Sequence, residues 1–268
     1  MARRPRRVMD QLTARKSASI SSSTSASCPR VSSLNYSCSA AISPIVSPMA
    51  TFLQPPPAAP RRKPTLLPPT MVLENGDRLP VAEFMRRYRA APSLRKVQLI
   101  EGTVHMPSPV NASFHAEPDG IIQGWLFTYS LEHPELKVFP NATLLLDGDN
   151  AVQPDAILCQ PLAGGRVWLD EEGYLHGAPE LVCEIASTTA SIDLHSKFQA
   201  YRRNGVGEYL VWLVHEKRVL WYELADGEFR QKNEKSGKLT SSLFPGLTLD
   251  VKALIKLDKA KVVKGLAP

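Results

Sequence analysis

The stretch PELVCEIAS, residues 179–187, decides the fold, because it sets one acid inside a run of strand-forming apolar residues. A second stretch, AVQPDAILCQ at residues 151–160, has the same character. Both are rich in Val, Ile and Leu and are bounded by turn-forming residues, which is typical of strands buried inside a sheet. Together they predict neighbouring strands that carry Asp155 and Glu184.

The segments around these strands predict helices that would cover a sheet. Residues 79–92 place apolar side chains at helical spacing behind Pro80, which suits a first turn. Residues 114–132 carry an apolar stripe around Trp125. Residues 191–206 predict a third helix that stops at Asn204-Gly205.

Further strands flank this central pair. Residues 97–106 predict a hairpin turning at Glu101-Gly102, and residues 208–224 predict a second hairpin turning at Glu216-Lys217. Residues 136–147 are also strand-like, residues 164–179 predict a loop projecting from the sheet edge, and two short strands and a helix near 250–257 would follow. The predicted fold class is α/β, a mixed β-sheet flanked by helices.

The N-terminal part differs in composition from the rest of the chain. Residues 1–70 contain SASISSSTSAS and QPPPAAPRRKPTLLPPT with little apolar periodicity, which predicts a disordered extension. Its arginines and serines would suit a targeting segment, and a misassigned start, with the protein beginning at Met49 or Met71, is the other reading. Residues 71–268 are predicted to form one domain.

The positive charge of the chain belongs to this extension. Residues 1–70 hold ten basic residues against one acid, a charge of +9, whereas residues 71–268 hold 22 basic residues against 25 acids, a charge of −3. The predicted domain therefore lacks the strongly basic surface of a tight non-specific DNA binder. Contacts with DNA would have to be local or weak.

The cysteines and the hydropathy indicate the cellular compartment in which we expect the protein. The four cysteines form no C-x-x-C pair, and Cys159 and Cys183 lie in apolar runs, so we expect reduced thiols and no structural zinc. No stretch approaches the roughly 20 apolar residues of a membrane span. We expect a cytoplasmic protein without a membrane partner.

Asp155 and Glu184 are the candidate reactive groups, because acids are costly among apolar strand residues unless they are compensated. On adjacent strands their carboxylates could converge on one divalent cation. All-oxygen ligation suits Mg²⁺, with Mn²⁺ as a substitute, and Glu101 at the hairpin turn could complete the site. The alternative is that each acid ends a strand, faces solvent, or pairs with an arginine such as Arg202 or Arg203.

The helix after the second acid carries further polar residues. Asp193, Lys197 and Tyr201 are spaced by four and so share one helical face. His115 and His195 could act as general bases, although neither has a Ser or Cys in a triad-like context. Capping or packing is the alternative for His115, and exposure is expected for His195.

An ordered set of motifs from Ile100 to about Leu254 resembles the Uma-type restriction endonuclease family, a branch of the PD-(D/E)XK nuclease superfamily. The matching pieces are LIEGTVHMPSP and then His115, QPDAILC, PELVCEIAS and DLHSKFQAYRRNGVGEYLVW. The resemblance implies a restriction-endonuclease-like fold in which Asp155 and Glu184 hold the metal, Glu101 assists from the first hairpin, and Lys197 stands near the scissile phosphate.

The sequence departs from the superfamily pattern at one position that concerns chemistry. The pattern has a lysine two residues after the glutamate, where this chain has Ala186. Lys197 on the following helix could return the positive charge to the same pocket, unless it is a solvated surface residue. The chain also has IASTT where the family usually has a Ser-Pro-Ser turn.

Three functions remain open on these observations. The first is a Mg²⁺-dependent endonuclease that hydrolyses DNA phosphodiester bonds, with Lys197 stabilising negative charge at the phosphate. The second is a nucleic-acid-binding or scaffold module on the same fold with a degenerate site, which Ala186 and the charge of −3 favour. The third is a phosphoesterase for RNA or a small substrate. A homodimer is expected only by analogy with restriction enzymes.

Overall fold

A computed structural model describes residues 72–162 and 166–266 of the chain. The extension predicted for residues 1–70 lies outside the described residues. Within the described residues, no helix is long and apolar enough to cross a lipid bilayer.

The helices include the three that the periodicity predicts. They are α1 (Val81–Ala90), a π-helical turn (Ala112–Ala116) that leads into α2 (Glu117–Leu131), α3 (Ala190–Leu194), α4 (Ser196–Asn204), α5 (Val251–Ile255) and α6 (Lys259–Lys264). The helix predicted for residues 191–206 is interrupted at His195, which has a non-helical backbone between α3 and α4. Gly205 ends α4 in the left-handed conformation, as the Asn-Gly pair predicts.

The strands are short. In chain order they are β1 (Gln98–Ile100), β2 (Thr103–His105), β3 (Lys137–Pro140), β4 (Leu144–Leu145), β5 (Ala151–Val152), β6 (Ala156–Cys159), β7 (Val167–Leu169), β8 (Leu175–Gly177), β9 (Leu181–Ala186), β10 (Glu208–Leu213), β11 (Arg218–Ala225), β12 (Glu228–Gln231), β13 (Lys238–Thr240) and β14 (Thr248–Asp250). Most of them fall where the sequence pattern predicts a strand.

The strands form two large mixed sheets where the sequence indicates one. The first has the order β2-β1-β5-β4-β8-β7, the second has the order β12-β11-β10-β9-β6-β3, and β13 pairs with β14 separately. The segments predicted as single strands at 136–147 and 151–160 each break into two, and the halves join different sheets. Asp155 lies at the second of these breaks, immediately before β6.

The described part of the segment predicted as a loop at residues 164–179, which begins at residue 166, forms an antiparallel hairpin, so that prediction is wrong. In it β7 pairs with β8 and forms the edge of the first sheet. The sequence of this hairpin, rich in glycine and acidic residues, lacks the apolar pattern of a strand. Only Val167 and Leu175 of the hairpin are buried apolar residues. Asp170 stabilises the turn, because its carboxylate accepts hydrogen bonds from the backbone N–H groups of Glu172 and Tyr174.

The centre of the second sheet is a β-α-β unit that determines where the site residues meet. Strands β9 and β10 are parallel and buried along their whole length, and α3 and α4 connect them. Because side chains alternate along a strand, Glu184 shares a face with Val182 and Ala186. Those two residues pack in one apolar cluster with Tyr201 of α4. Helix α4 therefore covers the face of β9 that carries Glu184.

The other face of the second sheet is covered by α2 and the C-terminal elements. Trp125 of α2 packs edge-on against Trp221 of β11, with ring centroids 5.9 Å apart. Cys183 and Ile185 of β9 belong to this second cluster. The acid on β9 thus lies within a strand that has apolar packing on both sides.

Candidate active site

Asp155 is buried beside the strand that carries the second acid. The residue is 8% exposed, and its Oδ2 atom accepts a hydrogen bond of 2.7 Å from the backbone N–H of Ile185 on β9. This bond brings the Asp155 carboxylate across to the residue that follows Glu184. Asp155 therefore neither faces solvent at a strand end nor pairs with Arg202 or Arg203, which bind Glu228 and Glu101 respectively.

Glu184 is also buried, at 3% exposure, and two donors from α4 meet one of its oxygens. Its Oε1 atom accepts from the Lys197 ammonium at 2.8 Å and from the Tyr201 hydroxyl at 2.8 Å. Lys197 and Tyr201 are four residues apart and so lie on one face of the helix, as their spacing predicts. The helix thereby places a charged donor and a neutral donor on the same carboxylate.

Lys197 is a buried residue, and the alternative of a solvated surface lysine is wrong. Its ammonium lies 2.8 Å from Glu184 and 3.2 Å from the Asp193 carboxylate. Asp193 in turn accepts a hydrogen bond of 2.6 Å from the Thr189 hydroxyl. One lysine therefore stands between two buried carboxylates, and a third, Asp155, is close by.

The excess of buried carboxylates governs the protonation of this group. Burial, reinforced by Asp193 and Asp155, raises the pKa of Glu184 to about 8 against the opposing charge of Lys197. Burial alone would lower the pKa of Lys197, but Glu184 and Asp193 raise it above its ordinary value. Burial and then the Glu184 charge raise the pKa of the Tyr201 hydroxyl, which stays a donor. Glu184 thus needs either a proton or a further cation.

His115 and Asp119 approach Asp155 from the start of α2. The His115 Nε2 atom is 3.4 Å from the Asp155 Oδ1 atom. One ligand atom from each of His115, Asp119 and Asp155 lies within 4.8 Å of the others, and no other group of three potential ligands in the described residues meets this distance. The hydrogen bond to Asp155 raises the pKa of His115, and burial followed by the Asp155 charge raises the pKa of Asp119.

Asp119 is a candidate that the sequence reasoning missed. It is four residues after His115, a spacing that places both side chains on one side of the helical segment. That spacing was the available signal, but an acid in the first turn of a helix is common because it complements the helix dipole. His195, by contrast, is exposed, as predicted.

A cavity of about 130 Å³ opens onto these groups. Its lining includes Asp155, Glu184, His115 and Lys197, with the segment Pro107–Asn111 on one side. Carboxylate oxygens with one imidazole nitrogen form a donor set that suits Mg²⁺ or Mn²⁺. The residues present therefore fit a divalent cation, with Asp155 common to both groups of side chains.

Glu101 lies apart from this cavity and is not among the described residues that line it. Its carboxylate forms an ion pair of 2.8 Å with Arg203, and its backbone N–H donates to Asn150 at 2.9 Å. Glu101 and Gly102 both have positive φ angles, 51° and 69°, which confirms the predicted tight turn between β1 and β2. The participation of Glu101 in metal binding stays a prediction.

The two mixed sheets and their flanking helices define an α/β protein that carries a pair of buried acids. The family model described as "Uma2: Putative restriction endonuclease" matches residues 81–252, so the chain belongs to that family. Its fold is similar to the crystal structure of a protein from Anabaena variabilis, titled a putative nuclease belonging to DUF820. That likeness has 17% sequence identity, a TM-score of 0.50, and coverage of 67% of this chain and 98% of the other. No curated protein matches the sequence.

Proposed function

We propose that this protein is a divalent-cation-dependent endonuclease that hydrolyses DNA phosphodiester bonds, with Mg²⁺ as the physiological cation and Mn²⁺ as a substitute. The observation that carries the proposal is the cavity in which buried Asp155 and Glu184 lie beside the ammonium of Lys197. Such an excess of buried carboxylate is costly unless a cation offsets it. Family membership supports the same reaction class.

Each residue has a defined task in this proposal. Asp155 and Glu184 would hold the cation, and His115 and Asp119 would supply further ligands at Asp155. When bound, the cation lowers the pKa of a water molecule and neutralises charge on the phosphate oxygens. Lys197 fixes the Glu184 carboxylate and places positive charge beside the phosphate, where negative charge develops. Glu101 would assist only if it left Arg203.

Lys197 also bears on the alternative of a degenerate site. Ala186, two residues after Glu184, leaves the expected strand position without an ammonium. The Lys197 ammonium nevertheless reaches Glu184, at 2.8 Å, from α4. The contact supports the active nuclease over a binding or scaffold module, because the charge absent from the strand is present at the carboxylate.

A plasmid-nicking assay tests the proposal. The full-length protein should nick supercoiled DNA with Mg²⁺ or Mn²⁺ and not with EDTA. Asp155→Ala and Glu184→Ala should each abolish nicking, and Glu101→Gln should retain more activity than either. Glu132→Ala, which changes an exposed acid on the far end of α2, is the control. If both Asp155→Ala and Glu184→Ala still nick DNA, the assignment of these two residues to the active site is wrong.

The net charge and the cysteines of the domain bear on its contacts with DNA and on its location in the cell. The domain charge of −3 favours local contacts with DNA, and the free, buried Cys159 and Cys183 suit a cytoplasmic location. A homodimer would allow two sites to cut both strands. Light scattering of the purified protein tests that prediction.

A further inference from the structure

We infer that Lys96, with Asn141 beside it, binds a substrate phosphate next to the one that is cleaved, so that the site takes oligonucleotides in preference to small phosphodiesters. The inference rests on the nuclease function proposed above. It concerns the wall of the cavity formed by Lys96, Gln98, Asn141 and Gln153, which lines the same space as Asp155 and Glu184.

The two lysines of the cavity differ in what they bind. The Lys197 ammonium is held between Glu184 and Asp193. The Lys96 ammonium donates to a neutral group, the Asn141 side-chain oxygen, at 2.8 Å. No carboxylate of the described residues forms an ion pair with Lys96. Its charge is therefore available to an anionic ligand, whereas the Lys197 ammonium already contacts two carboxylates.

The backbone holds Lys96 and Asn141 in an unusual conformation. Their φ angles are +54° and +51°, in the left-handed region that residues other than glycine seldom adopt. Here the Asn141 N–H donates to the backbone oxygen of Asp155 at 3.1 Å. This bond ties the Lys96 and Asn141 pair to the main chain of the acid that would hold the cation.

The wall offers donors and no carboxylate. Asn141 uses its side-chain oxygen for Lys96, and Gln98 uses its side-chain oxygen for the Gln153 N–H at 3.0 Å. The amide nitrogens of Asn141 and Gln98 have no partner among the described residues. An ammonium beside two amide NH₂ groups is a donor set that suits phosphate oxygens.

The positive charge of Lys96 also affects the pKa values of His115 and Asp119. Asp155 raises the pKa of His115 and burial raises that of Asp119, and Lys96 opposes both shifts. The wall is therefore within electrostatic range of the proposed cation site. A chain with successive phosphates could be held by the cation at one phosphate and by Lys96 at the next.

The test compares Lys96→Ala, Lys96→Arg and unmodified full-length protein, with the exposed Lys235→Ala as the control. We expect Lys96→Ala to bind a fluorescein-labelled DNA duplex about tenfold more weakly in Ca²⁺, from the loss of one charged hydrogen bond. The dependence of log affinity on log salt should become shallower by about 0.9, as expected for one phosphate contact. Lys96→Arg should restore both values. Titration with Mn²⁺ alone should show no weaker binding in Lys96→Ala than in the unmodified protein, because removal of a nearby positive charge does not weaken the binding of a cation.

A second substrate separates a phosphate contact from a structural role. Bis(p-nitrophenyl) phosphate has a single phosphate, so Lys96→Ala should reduce its Mn²⁺-dependent hydrolysis much less than it reduces the cleavage of DNA. An unchanged DNA affinity and salt dependence in Lys96→Ala overturns the inference, as does an equal loss with both substrates. If the protein binds DNA through Lys96 and never cuts it, the proposed function fails by itself. If it binds no DNA, both fail.

Discussion

The Lys197 ammonium lies 2.8 Å from the Glu184 Oε1 atom, and both side chains are buried, at 6% and 4% exposure. The contact is made across a β-α-β unit, since Glu184 is on β9 and Lys197 is on the helix that returns over it. A buried pair of this kind adds little net stability, because desolvation of both charges opposes their attraction. Its energetic importance appears when one partner is removed.

We expect Lys197→Met to destabilise the protein by about 3–5 kcal/mol, because it leaves the buried carboxyl groups of Glu184 and Asp193 without the ammonium that lies between them. The double variant Glu184→Leu, Lys197→Met should recover part of that loss and show no nicking. Urea denaturation of both variants measures the effect. The exposed Lys235→Met serves as the control, and a Lys197→Met variant as stable as unmodified protein would contradict the buried ion pair.

The stability of the metal-free protein should depend on pH through Glu184. Its pKa is raised from 4.5 to about 8 in the folded state, so the folded chain keeps a proton that the unfolded chain loses at lower pH. The free energy of unfolding should therefore fall as the pH rises from about 4.5 to 8 and then level off, as far as this group is concerned.

Glu184→Gln isolates this effect, since glutamine is neutral throughout. In EDTA, the variant should gain stability relative to unmodified protein as the pH rises over that range. Denaturation curves at several pH values provide the measurement. Addition of Mg²⁺ at high pH should narrow the difference, because the ion stabilises only the protein that binds it. A difference that does not vary with pH would refute the assignment.

Tyr201→Phe should move the pH dependence of metal binding to higher pH. The Tyr201 hydroxyl donates to the Glu184 Oε1 atom at 2.8 Å, and a hydrogen bond to a carboxylate favours its charged form. Without it, Glu184 should release its proton at higher pH, and Mn²⁺ affinity should rise later on a pH titration.

Tyr129→Phe is the matched control for this change. Its hydroxyl donates to the Pro245 carbonyl at 2.9 Å, in the cluster on the opposite face of the sheet. Both variants should lose about 1 kcal/mol of stability from one missing hydrogen bond. Only Tyr201→Phe should shift the Mn²⁺ titration, and an equal shift in both would point to a general structural effect.

Local sequence patterns predict the central elements and the helix-borne lysine correctly. The apolar runs place β6 and β9, and the spacing of Lys197 and Tyr201 indicates their shared face on α4, whereas Asp193 lies on α3, before the break at His195. These features depend on periodicity within one segment, which a sequence shows directly. The burial of Lys197 is also consistent with the acid-rich pocket expected around Glu184.

Contacts between distant segments account for what was missed. Asp119 joins His115 and Asp155 only because α2 begins beside the break before β6, and no local pattern encodes that arrangement. The hairpin of β7 and β8 lacks alternating apolar residues because it lies at a sheet edge. Glu101 matches the family motif, yet in this chain its carboxylate is paired with Arg203.

The placement of Lys197 on α4 means that two kinds of structural element hold the candidate active site. The carboxylates of Asp155 and Glu184 are fixed by the hydrogen-bonded frame of the sheet, whereas the ammonium is fixed by a helix of nine residues that depends on docking. Movement of α4 alone would therefore separate the Lys197 ammonium from the Glu184 carboxylate. The candidate site would then be disrupted while the sheet is still folded.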